Sequence, residues 1–348
     1  MKKHINIPVF IPHLGCPNMC VFCNQRSISG VCEFNSDSVI PIIEEALGTV
    51  AEDCEAEIAF FGGSFTGIDR NLMIRLLEIA YSYVKSGRVS SIRCSTRPDY
   101  INPEILDILE KYKVKVIELG LQSTDKNVLL LTKRNHTFEE EKMACELIVK
   151  RGFQLVGHMM IGLPGSNLES EEKTADFIIS SGALGARIYP TVVFRDTELC
   201  NMSISGEYTP ITLDEAITRS ARVMQKFINA GVKVIRVGLC SSEKLRSEET
   251  YYMGPNHPAL GELVENEVYY NLINEKLSLS HSDNYDKITV NVAKGMLSKA
   301  IGQKKKNKVR LMERYKLKEI VFSENSNLSD YEICLKTEKG NKDVFKVT

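Results

Sequence analysis

The sequence predicts an α/β protein with a parallel sheet, on three observations. Its first half alternates six short β-rich runs with amphipathic helical stretches, the rhythm of parallel strands joined by right-handed crossovers. Its 348 residues suffice for about two average domains, or for one barrel-sized domain with an appendage. Hydrophobic residues make up 43% and charged residues 26%, as in ordinary globular proteins. Six such units fit either an open doubly wound sheet or an incomplete barrel.

The individual elements follow from the hydrophobic period. Strands are predicted at 5–11, 57–61, 91–95, 114–121, 153–161 and 186–189, and helices at 38–50, 72–85, 104–112, 139–151 and 169–180. Further along we expect a helix over 213–230, a strand over 232–237 and a helix that ends near 276. Beyond a short polar boundary at 278–283, we expect a strand after 285, a basic helix over 293–314 and a terminal hairpin from 319–322, 331–336 and 342–347.

Charge and apolar pattern restrict the compartment and the partners. The formal net charge is −1, so no global field favours a nucleic acid or an acidic membrane, and any polyanion contact must be local. No apolar run is long enough to span a bilayer. The start mimics a signal peptide, but Pro8, Pro12 and His13 interrupt its apolar stretch. We therefore expect a cytoplasmic protein whose ten cysteines stay reduced and serve metal binding or simple burial.

Three cysteines follow the first strand directly. Cys16, Cys20 and Cys23 form a C-x3-C-x2-C motif in one loop, where each thiolate can hold one iron of a cubane cluster. The fourth iron is then left open, and an open metal position suits a cluster that binds a substrate directly. Two alternatives stay open. One is a structural zinc bound by the same cysteines and His13, and the other is a set of buried thiols without a ligand.

This cysteine loop, with Phe22 just before its third cysteine, resembles that of radical S-adenosylmethionine (SAM) enzymes. The resemblance implies a [4Fe-4S] cluster on Cys16, Cys20 and Cys23, whose open iron is chelated by SAM. Reductive cleavage of SAM would then give a 5′-deoxyadenosyl radical. The resemblance also implies an incomplete (β/α)6 TIM-like barrel with a C-terminal α+β extension. A low-potential electron donor such as flavodoxin or ferredoxin is the expected partner.

The resemblance implies further contacts to SAM at the strand ends, where parallel α/β folds bind their ligands. The implied cofactor-binding residues are Phe10, Phe22, Gly62, Gly63, Ser64, Ser95, Gln122, Arg134, His158, Met160 and Tyr189. In the family, the glycine pair approaches the SAM amino group, and a cation at the position of Arg134 pairs with the SAM carboxylate. Ser95 departs from the pattern, because relatives commonly carry a carboxylate there.

Within the superfamily, the motifs resemble the radical SAM core of the Elongator catalytic subunit. They include Gly62 to Thr66, Thr96 to Tyr100, Glu118 to Ser123, Arg134 to Thr137, Ile188 to Thr191 and Gly254 to Pro258. The resemblance covers roughly residues 4 to 270 and divides the chain in three. We expect a partial-barrel core over 1–210, a core-completing extension over 211–280 and a small basic α+β region over 281–348. The chain shows no acetyltransferase domain, so the carboxymethyl-type reaction of Elongator is not expected.

A short basic stretch suggests the substrate. It contains Lys304, Lys305, Lys306, Lys308 and Arg310. Such a run is often a solvated helix face, but the resemblance to tRNA-modifying proteins favours RNA as its partner. Two other functions stay open. They are radical SAM chemistry on a small metabolite such as a tetrapyrrole, and a non-catalytic RNA-binding module stabilised by a cluster or zinc.

The remaining cysteines are too dispersed for a second cluster, and most are expected to be buried. Cys200 and Cys240 are the candidates for a hydrogen-atom donor or thiyl radical, because they lie near predicted strand ends or loops of the last third.

Overall fold

A curled sheet of seven parallel strands forms a half-barrel at the centre of the protein. The computed structural model describes residues 3–11, 14–16, 20–24, 34–51, 54–240, 244–279, 286–339 and 343–347. The half-barrel strands are β1 (Lys3–Ile11), β2 (Cys54–Gly62), β3 (Ser91–Thr96), β4 (Val114–Gln122), β5 (Gln154–Ile161), β6 (Gly185–Pro190) and, after the short β7 (Val193–Phe194), β8 (Lys233–Val237). They are hydrogen-bonded in the order β1-β2-β3-β4-β5-β6-β8. The predicted fold class is confirmed, and a seventh parallel strand extends the six predicted units.

Helices connect these strands and cover the outside of the sheet. They are α1 (Val39–Thr49), α2 (Arg70–Lys85), α3 (Pro103–Lys111), α4 (Lys126–Leu131), α5 (Phe138–Lys150), α6 (Leu168–Ser180), α7 (Glu198–Ser205) and α8 (Leu213–Asn229). Several begin at strong caps. Thr137 and Glu140 form a capping box at the start of α5, as Thr212 and Glu215 do at α8, which satisfies backbone N–H groups at each helix start.

The C-terminal part forms a smaller, mixed sheet. In chain order, this part of the protein contains β9 (Tyr251–Met253), α9 (Leu260–Leu279), β10 (Lys287–Val292), α10 (Leu297–Ile301), α11 (Lys306–Tyr315), β11 (Glu319–Glu324), β12 (Ile333–Lys339) and β13 (Asp343–Val347). The short strand β9 instead pairs with β7. The smaller sheet has the order β11-β10-β12-β13, with β10 parallel to β11 and antiparallel to β12. The predicted terminal hairpin is therefore correct only for β12 and β13. β10, whose alternate residues Ile288, Val290 and Val292 are fully buried, lies between β11 and β12 and so separates β11 from the hairpin.

The predicted basic helix over 293–314 is two helices rather than one. α10 ends at Ile301, and α11 begins at Lys306. Between them Gly302, Lys304 and Lys305 adopt positive φ angles, which a continuous right-handed helix excludes. The lysine run therefore lies at a turn and not along one helix face.

Helix α9 joins two hydrophobic cores. Its first half, including Val264 and Val268, packs into the core of the half-barrel. Its second half, including Tyr269, Ile273 and Leu277, packs into the core of the smaller sheet. The predicted boundary at 278–283 lies mostly outside the described residues, and the three-part division stays a prediction. No helix within the described ranges has the length and apolar character to cross a membrane.

Candidate functional site

Two adjoining cavities lie at the carboxyl ends of the half-barrel strands. The larger has a volume of about 480 Å³ and the smaller about 170 Å³. Six residues line both, namely Phe22, Cys23, Gly62, Ser95, Gln122 and His158. The two cavities are therefore parts of one site, as expected for a parallel α/β fold.

The structure gathers the three motif cysteines and all but one of the predicted cofactor contacts around these two cavities. The three motif cysteines line the smaller cavity together with Gly63 and Arg134. Phe10, Met160 and Tyr189 line the larger one. Met160 faces the cavity while its neighbours Met159 and Ile161 are fully buried in the hydrophobic core, as strand alternation requires.

Ser64 is the exception among the predicted cofactor contacts, because it lines neither cavity. Its fully buried hydroxyl lies 2.8 Å from the Thr96 hydroxyl and accepts a hydrogen bond from the Arg97 backbone N–H at 3.3 Å. The side chain thereby joins the end of β2 to the end of β3. In this position it supports the wall of the site.

The glycine pair after β2 allows the cysteine loop to lie against the sheet. The Gly63 N–H donates to the Ile11 carbonyl at 2.8 Å, and the next N–H, of Ser64, donates to the Leu14 carbonyl at 3.0 Å. A Cβ at Gly63 would collide with the Leu14 carbonyl oxygen, and Gly62 has a φ of +106°, which L-residues rarely adopt. The glycines thus accommodate protein backbone as well as any ligand.

The second half of the cysteine loop is held by two helices. The Val21 N–H donates to the Thr132 carbonyl at the end of α4 at 3.2 Å. The Val21 carbonyl accepts from the Leu199 N–H in α7 at 2.8 Å. A turn bond from the Cys23 N–H to the Cys20 carbonyl, at 2.9 Å, closes the loop. These bonds fix where the second and third cysteines enter the smaller cavity.

Two buried guanidinium groups line the smaller cavity beside the cysteines. Arg134 Nη1 lies 3.6 Å from the Sγ of Cys20, and Arg97 Nη2 donates to the Arg134 carbonyl at 2.6 Å. Only 5% of Arg134 and 3% of Arg97 are exposed. Burial raises the pKa of the Cys16 thiol, and these two cations offset that only in part. The sequence analysis did not single out Arg97, although its position directly after β3 is one where ligand contacts are expected.

The donor groups of this cavity fit an anionic cofactor. Arg97 Nη1 and Arg134 Nε are buried and have no hydrogen-bond partner. Buried N–H groups without partners are costly, so a negatively charged group in the cavity would stabilise both. No three Cys, His, Asp or Glu side chains of the described residues are grouped to hold one metal ion. In a [4Fe-4S] cubane each cysteine binds a different iron.

Beneath the larger cavity lies a buried ionic network that the sequence analysis missed. Glu118 is 0% exposed and accepts hydrogen bonds from Arg93 at 2.6 Å, from His158 at 2.6 Å and from Arg187 at 2.8 and 3.1 Å. Arg93 also donates to the buried Glu57 at 2.6 Å. The signal in the sequence is one acidic residue within the apolar run from Val116 to Leu121, because such a residue must have partners when buried.

The electrostatics of this network keep Glu118 ionised. Burial alone would raise its pKa, but the hydrogen bond and charge of His158, together with the Arg187 guanidinium, hold that pKa well below its usual range. Tyr189 lies edge-on to the His158 ring, with centroids 5.8 Å apart. Burial raises the pKa of the Tyr189 hydroxyl, so this group is protonated at neutral pH.

The basic stretch divides into paired and exposed residues. Arg310 forms a two-point ion pair with Glu267 at 2.5 and 3.1 Å and lies 3.6 Å from the centre of the Tyr270 ring. Lys306 lies 3.8 Å from Asp214. Lys304 and Lys305 are exposed, and Lys308 is half-buried. RNA binding by this stretch stays a prediction, and Arg310 is already used within the fold.

The two candidate thiol donors have different environments. Cys200 is buried in a small hydrophobic cluster beside Val21 and Leu199. Cys240 lines the larger cavity, and its Sγ lies 2.9 Å from Nη1 of Arg236. His13, the fourth ligand of the zinc alternative, lies outside the described residues.

A curled parallel sheet with thiols and cations at the carboxyl ends of its strands defines a TIM-like α/β enzyme with its ligand site in the barrel mouth. The chain matches the family model of the radical SAM superfamily over residues 10–178. It also matches the radical SAM C-terminal domain over residues 184–270. The chain belongs to the radical SAM superfamily, a family whose cofactors are a [4Fe-4S] cluster and SAM.

Relatives support the same assignment. The uncharacterized protein MJ0486 of Methanocaldococcus jannaschii is 30% identical over 227 residues, which are 62% of this chain and 68% of that protein. The tRNA uridine(34) acetyltransferase of Methanocaldococcus infernus is 33% identical over 133 residues, 37% of this chain but only 25% of the acetyltransferase. The solved archaeal Elp3 of that organism, lacking N-terminal residues 1–46, has a TM-score of 0.58 at 23% identity, covering 79% of this chain and 64% of that chain. At this identity, the likeness to the archaeal Elp3 structure shows a shared fold and nothing further.

Proposed function

We propose that this chain binds a [4Fe-4S] cluster through Cys16, Cys20 and Cys23, cleaves SAM reductively and uses the resulting radical chemistry to modify an RNA, namely tRNA. One observation carries the cofactor part. Three thiols share a small cavity with two buried guanidiniums that have unused donors, and this cavity opens into a larger one. When bound, the cluster supplies the electron that the cleavage of SAM requires.

The residues of this chain would divide the work. Arg134 would neutralise negative charge on the SAM carboxylate, which guanidinium geometry suits. Arg97 is already paired with Asp99 at 2.9 Å and would offer its unused Nη1 donor to the cluster. Gln122 and Ser95, which line both cavities, would contact the polar groups of SAM. Met160 and the surrounding aromatic rings would exclude water from the reacting atoms. A low-potential donor such as flavodoxin or ferredoxin would supply electrons in the cytoplasm.

The RNA part of the proposal is supported by two observations. One relative that matches a stretch of this chain is named as a tRNA-modifying enzyme, although this chain spans about a quarter of its length. The exposed Lys304 and Lys305 at the turn before α11 offer a local cationic surface. Binding through such lysines depends steeply on salt, because it releases counterions from phosphates.

Anaerobic reconstitution tests the cofactor part. Wild-type protein is expected to contain iron and sulfide, and to form 5′-deoxyadenosine from SAM when dithionite is added. Cys20→Ala should lose both properties. The matched control is Cys334→Ala, which removes a buried thiol from the smaller sheet and should leave both unchanged. Zinc in place of iron, or undiminished product from Cys20→Ala, would contradict the proposal.

A comparison of nucleosides tests the RNA part. Digested tRNA from cells with and without the protein, examined by mass spectrometry, should differ in one modified nucleoside. Purified protein should also bind tRNA less tightly as salt increases, and Lys304→Gln with Lys305→Gln should flatten that salt dependence. Identical nucleosides in both cell types would favour the metabolite alternative instead.

A further inference from the structure

Arg236 is a cation of the larger cavity that the cofactor assignment does not use. It lies near the end of β8, is half-buried and lines the larger cavity, but it does not line the smaller one with the cysteines. Among the described residues, its side chain has one hydrogen-bond contact, to the Sγ of Cys240 at 2.9 Å. A thiol is a weak acceptor, whereas a guanidinium carries five N–H donors. Arg236 therefore has donor capacity in excess of its partners in the described part of the chain.

A second cation stands beside it. Arg236 on β8 is the register partner of Arg187 on β6. Register partners in a parallel ladder point to the same face of the sheet, so both guanidiniums face the cavity that both residues line. The Arg187 guanidinium is already paired with Glu118 at 2.8 and 3.1 Å, whereas Arg236 contacts no carboxylate in the described part of the chain. A negative charge at Arg236 would therefore pair with a cation that has no counter-charge among the described residues.

The network below the cavity does not supply that negative charge. Its carboxylates, Glu57 and Glu118, are already matched by the guanidiniums of Arg93 and Arg187 and by the hydrogen bond from His158. Glu118 is the only acidic residue that lines the larger cavity in the described part of the chain, and it already accepts four hydrogen bonds. A carboxylate has about four acceptor positions, so this one is saturated. Among the described residues, Arg236 is left as one positive charge without a carboxylate partner.

The walls around Arg236 would strengthen its attraction for an anion. The cavity is lined by the rings of Phe10, Phe22, Phe61 and Phe194. Apolar walls lower the local dielectric constant, so a charge pair formed there is stronger than one in water. A guanidinium also matches the two-point geometry of phosphates and carboxylates.

We propose that Arg236 is a substrate-binding residue, which holds an anionic group of the substrate in the larger cavity while SAM occupies the side near the cysteines. This inference rests on the proposed function and adds the chemical class of the substrate. The group is a phosphate if the substrate is a nucleotide of RNA, and a carboxylate if it is a small metabolite. In both cases a neutral analogue of the substrate binds more weakly.

Matched pairs of probes test this subsite in the reconstituted protein with SAM present. The phosphate pair is uridine 5′-monophosphate against uridine, and the carboxylate pair is benzoate against benzamide. Isothermal titration should show at least one anion binding roughly 10-fold more tightly than its neutral partner, about 1.4 kcal/mol of binding free energy. The pair that shows the difference identifies the source of the anion.

Variants locate the effect. Arg236→Gln should abolish the preference for the anion, and Arg236→Lys should retain part of it because the charge remains. Arg195→Gln is the matched control, since this exposed arginine contacts Tyr252 and lines neither cavity. Equal binding of anion and neutral probe by the wild type, or an undiminished preference in Arg236→Gln, overturns the inference.

Failure of this inference can be told apart from failure of the proposed function. If wild-type protein yields 5′-deoxyadenosine but does not distinguish the probes, the anion subsite alone is wrong. If it yields no 5′-deoxyadenosine, the proposed function is wrong whatever the probes do.

Discussion

Substitution of Glu118 by Gln should destabilise the half-barrel more than any surface substitution. The side chain is fully buried and accepts four hydrogen bonds from Arg93, Arg187 and His158 at 2.6 to 3.1 Å. Gln keeps the shape but removes the charge and presents an NH2 group to cationic donors. Among the described residues, the Arg187 guanidinium is then left buried without a counter-charge, while Arg93 keeps only Glu57.

The expected magnitude follows from that arrangement. Removing one partner of a buried ion pair typically costs about 3–5 kcal/mol, because the remaining charge stays desolvated. At a urea m-value of about 3 kcal/mol/M, this lowers the unfolding midpoint by roughly 1–2 M. Urea unfolding followed by far-UV circular dichroism measures it directly.

Glu44→Gln is the matched control for this experiment. Glu44 forms a two-point pair with Arg88 at 2.7 Å, but on the surface, where solvent screens the charges. This control should leave the midpoint nearly unchanged. A loss of less than about 1 kcal/mol in Glu118→Gln, the net worth of an ordinary hydrogen bond, would refute the reasoning.

Two further predictions concern the cysteine loop and a buried pair behind it. Gly63→Ala should reduce the amount of iron bound after reconstitution, because the added Cβ displaces the Leu14 carbonyl. The control Gly48→Ala adds its Cβ in open space and should bind as much iron as the wild type. Equal iron in the two variants would contradict this prediction. His136 and Glu141 are hydrogen-bonded at 2.8 Å; burial lowers the His136 pKa to about 3 and raises that of Glu141 well above its usual value. In the folded protein the pair therefore holds one proton. In the unfolded chain it holds two protons below the Glu pKa of about 4.5, one between about 4.5 and 6.5, and none above the His pKa of about 6.5. The contribution of the pair to the free energy of unfolding is therefore greatest between these two pH values and falls on either side. Wild-type stability minus that of Glu141→Gln should therefore fall above pH 4.5 by up to about 1.4 kcal/mol per pH unit, and a flat difference would contradict this.

The sequence predicted best what lies close together along the chain. Cys16, Cys20 and Cys23 occupy one loop, so their spacing alone indicated a shared ligand. The half-barrel strands were recognisable because buried parallel strands form continuous apolar runs. Met160 was expected at the site through the family pattern and lines the larger cavity, whereas alternation alone left it undecided between the two faces.

The ionic network escaped the sequence analysis because its members are far apart in the chain. Glu118 meets Arg93 from 25 residues before it and Arg187 from 69 residues after it. No local pattern joins three separate strands, and only the register of the folded sheet brings them together. The turn inside the predicted basic helix escaped for a different reason. Lysine is a good helix former, so nothing in the run except Gly302 indicated a break.

The edges of the half-barrel determine how a substrate can reach Arg236. Strands β1 and β8 stand at opposite ends of the strand order, yet Pro8 and Phe10 of β1 line the same cavity as Arg236 of β8. The sheet therefore curls until its two edges face each other, and among the described strands no ladder joins them. A closed eight-stranded barrel fills its interior with side chains, whereas this open sheet keeps about 480 Å³ for ligands. If the substrate is a polymer such as RNA, it would have to lie across this open edge while one of its phosphates reaches inward to Arg236.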